Sequence, residues 1–167
     1  MRQTSFADMH CSLARTLEVV GDWWTPLILR DVYLGIDRFA DLVEDLGLSR
    51  NLLTDRLNGL VDNGILRRER YQERPPRDRY ALTEARQELV PILVALTAWG
   101  DRWQTPEGGP PIRFRHGHHD AVPMVACGAC GNQITSDDLT PKPGPGGRQA
   151  PGTMLIPARL IKFREDM

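Results

Sequence analysis

Catalytic signatures are missing from this sequence, and so is any segment built to cross a membrane. The longest strongly apolar run without a charged side chain, Leu89 to Gly100, is twelve residues, well short of the roughly 20 that a spanning helix takes. The opening MRQTSFADMHC holds no apolar block of the kind a secretory signal needs. A soluble, cytoplasmic protein with no membrane partner is therefore expected. Cysteine is scarce: three residues, with Cys127 and Cys130 sharing one CxxC. An odd count so placed makes a disulfide framework a poor fit and points to metal or redox chemistry. There are no paired carboxylates in a pocket pattern, no glycine-rich phosphate loop and no Ser-His-Asp arrangement, so the expectation is that the chain is not an enzyme. Excess charge is missing too, the formal net being −1. Any surface that attracts a polyanion must then be local.

What is present is an ordinary globular composition, 41% hydrophobic and 26% charged, enough for a real core. Apolar spacing predicts a helix from Ser12 to Val20, ended by Gly21, and a second within WWTPLILRDVYL, with Asp22 or Thr25 as N-cap and Pro26 in its first turn. Asp37 is the expected cap of a third helix, in which Phe39, Leu42, Val43 and Leu46 recur at helical spacing and Gly47 supplies the stop. Ser49 then caps a fourth, whose buried stripe is Leu53, Leu57, Leu60 and Val61. Two short amphipathic helices joined through a tight glycine turn read as a helix-turn-helix; a plain helical hairpin is the alternative.

The stretch LRRERYQERPPRDRYAL, Leu66 to Leu82, carries six arginines against Glu69, Glu73 and Asp78, a local net of +3. Its ends alternate as strands, so it reads as a hairpin, with Pro75-Pro76 stopping the ladder and stiffening a projecting tip. A basic hairpin directly after a helix-turn-helix makes a winged helix; an ordinary solvated hairpin is the plainer reading. Thr83 is the expected cap of a long helix to about Trp103, apolar on two sides: Leu89, Leu93, Leu96, Trp99 and Trp103 on one, Val90, Val94 and Ala98 on the other. Such a helix needs two partners, its own domain and a second copy. Pro91 falls inside it, where it should bend the helix or remove a hydrogen bond.

The blocks CSLARTLEVVGDWW, LILRDVYLGIDRF, LSRNLLTDRLNGLVDNGIL, RRERYQERPPRDRYALTEA and LTAWG, from Cys11 to about Gly100, resemble the HxlR family of winged-helix transcription regulators, relatives of the MarR type. The sequence departs from that pattern at Ser12, where many relatives carry Pro, and at Ala85-Arg86, where they carry Gly. The resemblance implies a homodimer, joined through its N- and C-terminal helices, on a palindromic operator in double-stranded DNA. Cys11 stands at the position of the family's N-terminal cysteine, through which some relatives sense electrophiles or oxidants. It is a candidate thiol switch or else a small residue packed at the dimer interface, and a small-molecule effector is a further expectation.

On the fourth helix, opposite the leucine stripe, lie Arg50, Asn51, Thr54, Asp55 and Asn58, residue types that pair with guanine, adenine, the thymine methyl and cytosine. Arg56 is long enough to reach a phosphate from the flank. Arg68, Arg70, Arg74 and Arg77 are the wing residues expected at phosphates or the minor groove, while Arg67 and Arg79 could equally pair with Glu69 or Asp78.

After the linker QTPEGGPP, RHGHHDAVPMVACGACGNQI gives H-x2-H-x7-C-x2-C from His116, His119, Cys127 and Cys130. Two imidazoles and two thiolates form a closed tetrahedral set suited to structural Zn²⁺, and glycines after each cysteine let backbone N–H groups turn toward sulfur. Some relatives with a C-terminal extension carry a similar patch with Cys at the place of His119; His118 could serve instead. A redox CxxC and unliganded thiols are the alternatives. TPKPGPGGRQAPG reads as irregular and MLIPARLIKF as a short strand or arm. The whole is expected to be mainly α with a small β-hairpin: a flexible arm (1–10), a winged helix-turn-helix (11–103), a linker (104–113) and a metal-stapled extension (114–167). DNA-binding regulator is the first reading of function; a thiol oxidoreductase or a protein-binding adaptor working through the CxxC segment is the rival.

Overall fold

The computed structural model describes residues 5–84 and 87–165. The chain divides into two compact units: Trp23–Val125, and the two chain ends, Met1–Asp22 with Ala126–Met167. Among the described residues no helix is long and apolar enough to cross a membrane.

In the Trp23–Val125 unit the order is α2 (Thr25–Tyr33), α3 (Phe39–Leu46), α4 (Arg50–Asp62), β1 (Leu66–Glu73), β2 (Pro76–Leu82), α5 (Leu89–Trp103), β3 (Arg115–His116) and β4 (His119–Asp120). Of the positions the helical spacing picks out, Leu42, Leu53, Leu57 and Leu60 are essentially inaccessible, as are Ile28 and Leu29 of α2, while Phe39, Val43, Leu46 and Val61 are half-buried. Each inaccessible side chain contributes about 1.5–3 kcal/mol by leaving water. Gly47 takes the left-handed conformation (φ 63°) that ends α3. The Ser49 hydroxyl then accepts the Leu52 N–H at 3.3 Å and starts α4. Two expected caps move by a residue or more. α2 begins after Trp24 and α3 after Arg38, neither with a side-chain cap. The Asp37 carbonyl instead accepts the Tyr80 N–H at 2.8 Å, tying α3 to the wing.

Around Thr83 the structure corrects the sequence reading. Its hydroxyl donates to the Gly64 carbonyl at 2.8 Å and its N–H to the Ile65 carbonyl at 3.1 Å, closing the base of the hairpin rather than capping the long helix. The long helix starts only at Leu89, and Ala85-Arg86 lie outside the described residues. Pro91 is therefore in the first turn, where a missing N–H costs nothing and no bend is needed. The wing also differs in detail. Its ladder runs to Glu73↔Pro76, so the tip is a tight turn rather than a projecting loop; Pro76 sits at the start of its strand, a position where a missing donor is tolerated. The Arg74–Pro75 peptide is cis.

Asp31 is fully buried on α2 and takes the Arg30 guanidinium at 2.6 Å, which also reaches Asp45 at 3.3 Å. Burial pushes its carboxyl above the usual range; Arg30 opposes that shift and Asp45 adds to it. A raised folded-state value means that the stability owed to this proton is complete below about pH 4 and is lost as pH rises through the raised value. Asp31→Asn should thus gain stability relative to wild type between pH 4 and pH 7 in urea melts. A difference that does not change with pH would contradict the assignment.

In the unit of chain ends, α1 (Ser12–Val20) and α6 (Ile156–Glu165) are the regular elements. MLIPARLIKF makes the helix α6 rather than a strand or extended arm, because Pro157 falls in a first turn. Residues 5–10 are tied down here: Ser5 Oγ and the Phe6 N–H both donate to the Glu18 carboxylate, at 2.8 and 2.5 Å, and the His10 N–H donates to the Pro151 carbonyl at 2.8 Å. Gly152, at φ 84°, passes so close to Met9 that a Cβ there would lie 3.2 Å from the methionine side chain.

Candidate nucleic-acid interface

With Leu53, Leu57 and Leu60 turned into the core, helical geometry leaves Arg50, Asn51, Thr54 and Asp55 exposed on the far side of α4, while Arg56 and Asn58 are half-buried. The side chains are not equally available. The Arg50 guanidinium stacks on the Phe39 ring, 4.9 Å from its centroid, and the Thr54 hydroxyl donates to the Arg50 carbonyl at 2.8 Å. Asn58 accepts a hydrogen bond from Arg68, which joins the reading helix to the first strand of the wing.

The wing arginines sort by partner. Glu69 is held between Arg67 (2.8 Å) and Arg79 (2.9 Å), one to each oxygen, and these bonds draw its carboxyl below the usual range. Arg70 pairs with Asp78 at 2.5 Å, which raises the guanidinium's value further and leaves this expected phosphate contact engaged inside the hairpin. Arg74 and Arg77 are exposed and, among the described residues, enter no salt bridge. The excess positive charge of the stretch is thereby concentrated at the tip, with Arg68 facing α4.

One feature of this surface escaped the sequence reading. Arg38, just before α3, stacks on Tyr71 of the wing, 4.8 Å from the ring centroid. Arg38, Arg50, Tyr71 and Arg77 border a cleft of about 510 Å³ between the wing and the helix starts. The only signal was an arginine preceding Phe39; its partner lies 33 positions on, beyond the reach of local spacing.

The expected metal ligands form two local pairs. His116 and His119 are register partners across β3 and β4, ring centroids 5.7 Å apart. His119 Nδ1 lies 2.9 Å from the Asp120 carbonyl; a proton on Nδ1 leaves Nε2 as the free donor atom. In the other unit, backbone N–H groups of Ala129 and Cys130 point at the Cys127 sulfur, and with the Cys130 thiol they draw its value below the usual thiol range. The Gly131 N–H closes the turn on the Cys127 carbonyl at 2.7 Å. Among the described residues, no three His, Cys, Asp or Glu side chains gather as a metal site.

Comparison with known proteins agrees with the fold. Residues 19–108 match the HxlR-like helix-turn-helix family. An uncharacterized HTH-type transcriptional regulator of Mycobacterium tuberculosis (strain H37Rv) is 44% identical over 138 residues, 81% of this chain and 87% of the relative. That span must reach past residue 108 into the C-terminal segment. The crystal structure of PA1607, described as a transcription factor, superposes with a TM-score of 0.70 at 32% identity over 81% of this chain and 96% of that one. The redox regulator HypR in its reduced form gives 0.53 at 29% identity over 56% and 94%. The chain belongs to the HxlR-like helix-turn-helix family of transcriptional regulators.

Proposed function

We propose that this protein is a cytoplasmic, sequence-specific regulator of transcription that acts as a homodimer on a palindromic operator. The observation that carries the reading is the pairing of an exposed polar face on α4 with two uncompensated arginines at the wing tip. In a major groove that face would offer Asn51 to adenine, the Thr54 methyl to thymine and Asp55 to cytosine, while Arg74 and Arg77 hold phosphates. Genome-wide mapping of bound DNA tests it: a recurrent inverted repeat is expected, and uniform coverage would overturn it. At the level of single residues, Asn51→Ala should cost about 1–3 kcal/mol on the operator and little on random duplex. Equal losses on both would move Asn51 to the backbone-contacting set.

Dimerisation is supported by α5, which leaves Ile92, Leu96, Trp99 and Trp103 57–63% exposed along one face while its other face packs on α2. Leu13 and Leu17 of α1 are exposed likewise. Covering four such side chains is worth several kcal/mol, and a two-fold pairing would set the reading helices about 34–36 Å apart, one turn of DNA. Leu96→Glu with Trp99→Glu should give a monomer in light scattering at micromolar concentration, where the wild type is a dimer; a wild-type monomer would count against the palindrome as well.

A structural zinc on His116, His119, Cys127 and Cys130 is part of the proposal. It is supported by the spacing of the four residues and by the N–H groups turned toward Cys127, and His119 with its proton on Nδ1 would offer Nε2 to the metal. Bound zinc would supply order to a segment poor in large apolar side chains. A thiol-reactive signal at the half-buried Cys11 is supported by the likeness to a redox regulator.

A further inference from the structure

A cleft in the unit of chain ends uses residues that the DNA-binding reading leaves idle. It has a volume of about 510 Å³, inside the range of small-molecule sites. Its cationic lining comes from both ends of the chain: Arg15 from α1, and Lys142 and Arg148 from the proline- and glycine-rich loop. Among the described residues no carboxylate lines it, and Lys142 and Arg148 enter no ion pair. The apolar part of the lining is Ile156, Pro157 and Leu160 of α6, together with Pro143. The loop is anchored at this place, since His10 Nε2 lies 2.6 Å from the Gly146 carbonyl. Cys11 and Ser12 also border the cleft, where α1 begins without a side-chain cap.

A cavity lined by cations, two of them without an ion pair among the described residues, and by aliphatic side chains fits a particular kind of molecule: an anionic head on an apolar body. We propose that this cleft binds a small organic acid, an aromatic or branched carboxylate, and that this acid is the protein's effector. Only the second clause rests on the regulator reading. Arg15 and Arg148 present N–H groups suited to a carboxylate, and Lys142 adds a mobile charge. The body lies against Ile156 and Leu160 and shields them from water.

The test uses the full-length protein and two probes of one shape, 2-naphthoate and neutral 2-naphthamide, in titration calorimetry. The acid is expected to bind at least about tenfold tighter than the amide, as loss of a charge-assisted contact implies. Lys142→Gln with Arg148→Gln should abolish that preference, while Lys142→Arg keeps it. Both positions, Lys142 and Arg148, are exposed, and unchanged melting temperatures establish that the variants are folded. Equal affinity for acid and amide, or a preference that survives the double glutamine variant, would overturn the proposal. Duplex binding is measured on the same samples without ligand. Loss of duplex binding in the wild type would sink the regulator reading and leave the calorimetric result standing.

Discussion

Replacing Arg74 and Arg77 together by alanine is expected to weaken binding to operator and random duplex alike, by about 10–100-fold near 0.1 M salt, and to flatten the dependence of log K on log salt by about two units. The pair is chosen because the hairpin neutralises its other cations from within. Glu69 occupies Arg67 and Arg79, and Asp78 occupies Arg70, so Arg70→Ala should change the salt slope by less than one unit. Phosphate contacts carry no base information, which is why both duplexes should lose affinity to the same extent. Unchanged binding of the double variant at low salt would remove the wing from the interface.

The zinc proposal carries the other large effect. Protein from a metal-replete preparation should hold about one zinc per chain, and Cys127→Ser should abolish it, because one thiolate and two imidazoles leave a weak, open site. His118→Ala should leave the metal content unchanged if His119 is the ligand. Chelation should make the C-terminal segment protease-sensitive and release two titratable thiols. Duplex binding should be almost unaffected, since neither α4 nor the wing contributes a ligand. Zinc-free protein with its C-terminal segment still protease-resistant would contradict the assignment.

The helix-turn-helix was legible because its determinants are local. Leu53, Leu57 and Leu60 repeat at helical spacing, Gly47 meets the steric demand of its turn, and the Ser49 hydroxyl reaches an N–H three residues away. The errors fall where a side chain finds a distant partner. Thr83 has the chemistry of a cap, yet Gly64, 19 positions earlier, takes its hydroxyl; the helix start then shifts to Leu89 and Pro91 ceases to be a puzzle. The same holds for the surface charge. Arg67 and Arg79 were already open to pairing with Glu69 in the sequence, and only the strand register, with Arg70 opposite Asp78, shows that Arg70 is paired as well. Arg38 and Tyr71 are united by the fold alone. MLIPARLIKF, read as a short strand or arm, forms α6 with a proline at the helix's second position, and a first turn is where proline is best tolerated.

Salt-dependent fluorescence anisotropy of the wild-type protein, on an operator recovered by genome mapping and on a scrambled duplex of equal length, tests the DNA-binding claim most directly. Tight binding with a steep negative salt slope on both duplexes is expected, together with a preference of about 10³-fold or more for the operator. A shallow slope, or equal affinity for the two duplexes at every salt concentration, would contradict sequence-specific recognition by α4 and the wing.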